Sequence, residues 1–517
     1  MAQYTPIREN GPSAGNVFAL FEDAAIAHSE RPFLVVDTKP LMSYADMLTQ
    51  TGQAAAWLRS VGVGVGDRVV VQAHKSPASV ILYLACLRAG AVFIPLNTAY
   101  QESELAYFLS DAEPSLLVAS PGLPAEITPY AGPLTIISGD VKAAPWGHFE
   151  DILPTVQLQT SDPAAILYTS GTTGRSKGAV LTHGNLSSNV MVLGKAWHWQ
   201  DNDVLLHALP IFHAHGLFVA LHCALLHASP ILFHERFDAD AVLRDIPSAT
   251  VFMGVPTFYT RLLAEPAFDK PLCGGIRLFV SGSAPLLNTT FEEFEQRTGH
   301  FILERYGMTE ALMVTSNPYD GPRVAGTVGP ALPGISVRVV AENGALAKTG
   351  EPGVLEMKGP NMFSGYWRNP EKTAEDHTAD GYFISGDIAT EDEAGYIRIV
   401  GRAKDLIISG GYNVYPKEVE MVIDAIEGVV ESAVIGVPHP DFGEGVVAIV
   451  AREPGSSINA DDVAMVVKGE LAAFKRPKTA IIVDELPRNT MGKVQKAELR
   501  KLHQGLFARP QPEQAGD

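Results

Sequence analysis

Apolar positions along the first part of the chain keep switching between two rhythms. FALFEDAAIAHSERPFLVV spaces them as a helix and then a strand, SYADMLTQTGQAAAWLRSVGV as a helix, DRVVVQA as a strand and SVILYLACLRAG as a helix. VFIPLN then reads as a strand, and ELAYFLSDAEPSLLVAS as a helix running into another strand. Helices alternating with strands in this way predict α/β layers around largely parallel sheets. The rhythm resumes after residue 200 with VLLHALP, an apolar helix, ILFHE, and VLRDI leading to TVFMGV. Beyond about residue 320 the character changes: VAGTVGPALPGISVRVV, GVLEMKG and GYIRIVGR predict short strands between Gly/Pro turns, a β-rich subdomain. From Asp405 the pattern is mixed again, with LIISGGYNVYP, a helix at KEVEMVIDAI, strands at VVESAVIGV and GVVAIVA, and a helix from Asp461. The expected division is a large N-terminal domain over 1–402 and a small α+β domain over 403–517, the boundary falling in Gly401–Asp405. No short-period repeat is visible, and the final RPQPEQAGD is expected to fray.

Two apolar runs are long enough to test as membrane spans. Ser76–Asn97 carries Arg88 and Gly90, and His215–Phe233 carries three histidines and Pro230. Each reads better as a buried helix running into a buried strand. A hydrophobic share of 46% supports a large core, and only 19% charged residues excludes long disordered stretches. The excess of 58 Asp+Glu over 39 Lys+Arg repels nucleic acid and anionic membranes, so neither is an expected partner. Any polyanionic nucleotide must be held by local groups. Three cysteines, an odd and sparse set, fit a reducing compartment. The start MAQYTPIRENGPSAG has neither an apolar core nor an arginine run, so no signal or transit peptide is read. The expectation is a soluble cytoplasmic protein.

The strongest local signal is Tyr168–Gly178, YTSGTTGRSKG. Thr169, Ser170, Gly171, Thr172, Thr173 and Gly174 make a loop of hydroxyls and glycines that ends near Lys177. Backbone N–H groups, hydroxyls and one ammonium suit a polyphosphate. No glycine immediately precedes Lys177, so this is not the Walker loop. AAILY before it and GAVLTH after it both read as strands, giving strand–loop–strand. A flexible solvated hairpin would have the same composition.

This loop is followed, in order, by FHAHG at Phe212–Gly216, SGSAPL at Ser281–Leu286, ERYGMTE at Glu304–Glu310, ISGDI at Ile384–Ile388, GRAKDLIISGGYNVYP at Gly401–Pro416 and LPRNTMGKVQK at Leu486–Lys496. The series resembles the superfamily of acyl-CoA synthetases, nonribosomal peptide adenylation domains and luciferases, nearly end to end. The resemblance implies an ATP-dependent, AMP-forming ligase with Mg²⁺, ATP and coenzyme A. It implies that Tyr306 stacks on adenine, Thr309 holds the α-phosphate and Glu310 binds Mg²⁺ near Thr172. Ser283, Ala284, Pro285, Arg305 and Gly307 would line the nucleotide, and Asp387 would take the ribose hydroxyls with Arg402 assisting. Lys493 matches the catalytic lysine, a cation between two anions. Lys404 matches the hinge of a mobile small domain, and Ser409, Gly410 and Gly411 the wall of the pantetheine tunnel. His213 reads as a gate beside the acid rather than a base. Taken alone, Glu310 reads as a surface carboxylate, Asp387 as a turn cap and Lys493 as a solvated loop lysine, while a packed core histidine is an open alternative for His213.

The acid is less legible. A helix starting near Pro256 would bury Phe258 and Leu262, placing Arg261 near that face. A buried guanidinium wants a carboxylate, either within the protein or on a small diacid. From NTAYQESELAYFLSDAEP to ERYGMTEALMVTSNPYDGPRVAGTVG the chain also resembles malonyl-CoA synthetases. That implies malonate, with room for methylmalonate at most, held by Arg261 with help from Ser281, while Met308 sets the depth. Another short acid, a carrier-loading adenylation enzyme and a P-loop ATPase are the alternatives. The polar setting of Lys493 also suits a lysine acyltransferase and deacylase as partners, because acylation would remove its charge.

Overall fold

A computed structural model describes residues 15–100, 102–122, 133–169, 176–409, 412–440, 442–471, 473–489 and 492–507. Four sheets organise it. The first holds Gly365–Tyr366, Lys177–Thr182, Pro163–Thr169, Val92–Pro95, Arg68–Gln72, Leu116–Ala119 and Leu134–Ile136 in spatial order. It is parallel except at the Pro163–Thr169/Lys177–Thr182 hairpin and the short Gly365–Tyr366 edge. The second runs Leu312–Ser316, Leu303–Met308, Leu278–Ser281, Val251–Gly254, Leu205–His207, Ile231–Phe233, Pro32–Val36 and Lys39–Ser43. It is parallel inside an antiparallel hairpin at each end.

Both apolar runs fall in the core, as their composition predicts. The helix Pro77–Ala89 buries every residue from Ala78 to Ala89. Ser76 and Ser79 close its start as a capping box with Pro77 in the first turn. His215–Leu221 forms a π-helical turn that continues as the helix His222–Leu226, and all but the last residue are buried. No helix among the described residues is long and apolar enough to cross a membrane.

The β-rich part is an antiparallel sheet of Ser336–Val340, Gly353–Lys358, Phe383–Glu391 and Ile397–Arg402. A single turn, Ala403–Asp405, leads to the last sheet, built from Ile407–Ser409, Tyr412–Val414, Val429–His439, Gly443–Arg452 and Thr479–Val483. Two elements there have no counterpart in the sequence reading: the strand Thr479–Val483 and the helix Lys496–His503.

Candidate active site

Two parallel strands end side by side, with Gly254 opposite Ser281, while a third starts beside them with Glu304 opposite Ser281 and runs on to Met308. Crevices beyond such ends are the usual ligand sites of α/β sheets. The Ser281 side chain is buried and its hydroxyl has no hydrogen-bond partner among the described residues. Gly282 follows, and a β-carbon there would lie 2.4 Å from Arg305 Cζ, so only glycine lets the guanidinium pack at this point. Ser283 has φ +72°, an unusual value for a residue with a side chain, and its Oγ lies 3.2 Å from His215 Nδ1. Backbone strain of this kind concentrates at functional sites. The Leu286 N–H donates to Glu304 Oε1 at 3.1 Å. Burial pushes the Glu304 carboxyl up to about 7 and the Arg305 guanidinium down to about 9. Nε and Nη2 of Arg305 have no partner among the described residues. Ala284 is half-buried and Pro285 exposed on the same turn.

Across the cleft, Asp387 and Arg402 face each other in antiparallel register, with Nε of Arg402 2.5 Å from Oδ1 of Asp387. The Tyr306 hydroxyl donates to the other carboxylate oxygen. Burial raises the Asp387 pKa, opposed first by Arg402. Gly307 and Met308 end the same strand as Tyr306, with the Met308 sulfur 3.8 Å from the Tyr306 oxygen. Thr309 and Glu310 form the turn that follows. Glu310 is buried, which raises its pKa; its Oε1 accepts from Tyr366 Oη at 3.1 Å. Lys177 Nζ lies 4.6 Å from the Tyr366 ring centre. Thr169 and Lys177 close the strand–loop–strand hairpin in register. Ser170, Gly171, Thr172, Thr173 and Gly174 lie outside the described residues.

Lys493 arrives from the other end of the chain. Arg488 and Val494 bridge as a small hairpin, the Lys493 N–H donates to Asn489 Oδ1 at 2.9 Å, and Gly492 has φ +74°. The lysine is exposed on the open side of the cleft and crowded by protein on the others. That crowding lowers its pKa, Arg402 lowers it further, and Asp387, then Glu310, oppose the shift. Burial, with Lys493's charge, also lowers His213 to about 3, so its half-buried ring is uncharged at neutral pH, and its Nε2 has no partner among the described residues.

The reading of Arg261 needs correction. It is exposed, not buried, and forms no ion pair among the described residues. The helix Pro256–Leu263 buries Tyr259, Leu262 and Leu263, while Phe258 is half-buried and stacks on Phe237 at 4.0 Å. The apolar face is thus turned by one residue from the expected one. Arg261 lies four residues after Thr257, on the same stripe. That stripe meets the lysine hairpin: a β-carbon on Gly492 would lie 3.4 Å from Thr257 Oγ1. Ser409 is buried inside the last sheet, Gly410 and Gly411 lie outside the described residues, and Lys404 is exposed in the Ala403–Asp405 turn.

Several neighbours of this site escaped the sequence reading. His215 could have been found as the second histidine of FHAHG, and Glu304 as a carboxylate in an apolar strand. Tyr366 and the Lys75–His207 pair leave no local signal. Lys75 follows a strand of the first sheet, and its Nζ lies 2.8 Å from both Nδ1 and the carbonyl oxygen of His207 in the second. His207 Nε2 in turn lies 2.9 Å from the Gly216 carbonyl oxygen, inside the π-helical turn.

The family model for AMP-binding enzymes matches residues 21–367, and that for the AMP-binding enzyme C-terminal domain matches residues 418–493. The ATP-bound crystal structure of MatB from Rhodopseudomonas palustris is 49% identical and superposes with a TM-score of 0.92, covering 95% of this chain and 99% of that one. The apo form of the same protein gives 0.82. A mitochondrial malonate–CoA ligase of Mus musculus is 37% identical, covering 88% of this chain and 86% of its own length. A feruloyl-CoA synthase of an Amycolatopsis species is 36% identical, covering 89% of this chain and 94% of its own.

Proposed function

The chain belongs to the AMP-binding enzyme family, and from that premise we propose an AMP-forming acid–thiol ligase whose acid is malonate. Malonate, ATP and CoA give malonyl-CoA, AMP and pyrophosphate through malonyl-AMP. In the first half-reaction a carboxylate oxygen attacks the α-phosphorus and the bond to pyrophosphate breaks. Two anions must meet, and the Lys493 ammonium supplies charge between them. Tyr306 stacks on adenine with the Ser283–Pro285 turn and Gly307 around it, Asp387 and Arg402 take the ribose, and Thr309 holds the α-phosphate. Thr169 to Gly174 and Lys177 steady the leaving phosphates, with Arg305 adding charge from below. Glu310 fits a Mg²⁺ ligand, being a buried hard-oxygen donor without an ion pair among the described residues, and with Thr172 it would hold the ion. Bound there, Mg²⁺ supplies charge neutralisation on the polyphosphate.

In the second half-reaction the domain over 403–517 turns about Lys404, withdraws Lys493 and brings Ser409, Gly410 and Gly411 to the pantetheine arm. The CoA sulfur attacks the acyl carbonyl carbon, the bond to AMP breaks, and the thiol proton passes to solvent. His213, uncharged, gates the acid rather than moving a proton. Exposed Lys493 is open to a lysine acyltransferase and deacylase; native protein always unmodified there in mass spectra would count against that part.

The observation that carries the reading is the approach of the lysine hairpin to the Thr257/Arg261 stripe, within reach of the charges of Arg402, Asp387, Arg305 and Glu310, which act on Lys493. For the acid, Arg261 would bind the distal carboxylate and Ser281 its neighbour, while Met308 limits depth. The test is AMP formation from ATP and CoA with malonate, methylmalonate, succinate, acetate and octanoate, repeated with Arg261→Ala. Malonate should lead, and the variant should lose it by about 10- to 100-fold, the loss of a charged hydrogen bond. A lead by acetate or octanoate would overturn the malonate assignment and leave the ligase chemistry standing.

A further inference from the structure

We propose that Thr257 is a positioning residue for Lys493: the first turn of the Pro256–Leu263 helix is the seat on which the lysine-bearing hairpin docks. The inference rests on the two half-reactions above and deepens them. A β-carbon on Gly492 would lie 3.4 Å from Thr257 Oγ1 and 3.5 Å from its methyl group, and no other described atom beyond its chain neighbours comes within 4 Å of that point. The hairpin is stiff behind this tip. Arg488 Nη1 donates to the Gly492 carbonyl at 2.7 Å, the Gly492 N–H to the Asn489 carbonyl at 2.9 Å, and Arg488 is ion-paired to Glu431 on the strand Val429–His439. A displacement at Gly492 is therefore passed to Lys493, its neighbour in the chain. Thr257 itself is only half-buried, while Tyr259, Leu262 and Leu263 anchor the helix, so its size can change without opening the core.

The contact acts only when the hairpin is docked, so its loss should touch one half-reaction. Thr257→Phe fills the seat and should lower acid- and ATP-dependent pyrophosphate release by about 100-fold, the effect of a 1 Å misplacement of a catalytic group. Conversion of supplied acyl-AMP and CoA to thioester should stay within about two-fold, and Thr257→Ser should keep both steps. A phenylalanine could instead obstruct the acid, and a double-mutant cycle separates the two causes. In a Lys493→Ala background Thr257→Phe should cost nothing more, because the lysine it misplaces is gone. A further loss there, an equal loss in both half-reactions, or an unaffected first half-reaction would each overturn the proposal. The assays use the acid the wild type turns over best, so a preference for another acid would sink the malonate assignment and leave this test intact.

Discussion

On the nucleotide side of the cleft, Tyr306, Asp387 and Arg402 already hold one another, and Glu310 is tied to Tyr366. On the acid side, Ser281 and His213 present buried polar atoms that nothing in the described chain satisfies, and Arg261 stands free of any described ion pair, whereas on the nucleotide side such orphans remain on Arg305, beneath the phosphates, and on His215, behind Ser283. The first arrangement is wired in advance, so little has to reorganise when a nucleotide arrives. The second stays incomplete until an acid of the right shape supplies partners, and an acid that lacks them leaves the orphans buried. Shared chemistry is prepared; selectivity is left to the substrate.

Lys493 belongs to neither side, and removing it is the harshest test. Lys493→Ala should cut pyrophosphate release by about 1000-fold, while thioester formation from supplied malonyl-AMP persists. Loss of both steps would show that the lysine supports the fold of the cleft rather than one reaction. Asp387→Asn should come next: initial rates at varied ATP should show KM for ATP rising by about 10- to 100-fold, as for a lost charged hydrogen bond, with KM for the acid unmoved. Parallel rises would erase the distinction between the sides. The third effect concerns pH. Crowding lowers the Lys493 pKa, so its ammonium is lost below the ordinary lysine range of about 10.5, and the first half-reaction should fall there. Lys493→Arg should move that fall to higher pH; an identical alkaline limb would assign it to another group. The mildest effect is on stability. Glu304 is held at about 7 when folded and near 4.5 when not. The folded chain binds the extra proton between those values, so stability drops as pH rises through them. Glu304→Gln should relieve about 3 kcal/mol above pH 7 and nothing below about pH 4, read by thermal melts at both ends. A gain equal at both pH values would mean packing, not charge.

The same contrast runs through what the sequence discloses. Asp387 is found through its place in the ordered motif series, and YTSGTTGRSKG announces its own hairpin, because prepared sites need particular residues in fixed local order. Helical spacing alone cannot separate a Phe258/Leu262 face from the observed Tyr259/Leu262/Leu263 face, so it does not reveal that Arg261 is exposed. The strand Thr479–Val483 is only half-buried throughout, so it carries no inside–outside alternation, and the helix Lys496–His503 buries only Leu499. Lys75 and His207, or Thr257 and Gly492, are too far apart in the chain for any local pattern to join them.

The helix Pro256–Leu263 has a consequence for how such chains diverge. Pro256 stands in its first turn without any side-chain cap, and three buried residues seat it in the core. Arg261 projects from that base without supporting it. Selection can therefore rewrite Arg261 while inheriting Thr257, the hairpin it seats and the nucleotide machinery unchanged. One ancestor of this shape can found many descendants that differ in diet and agree in how they consume ATP.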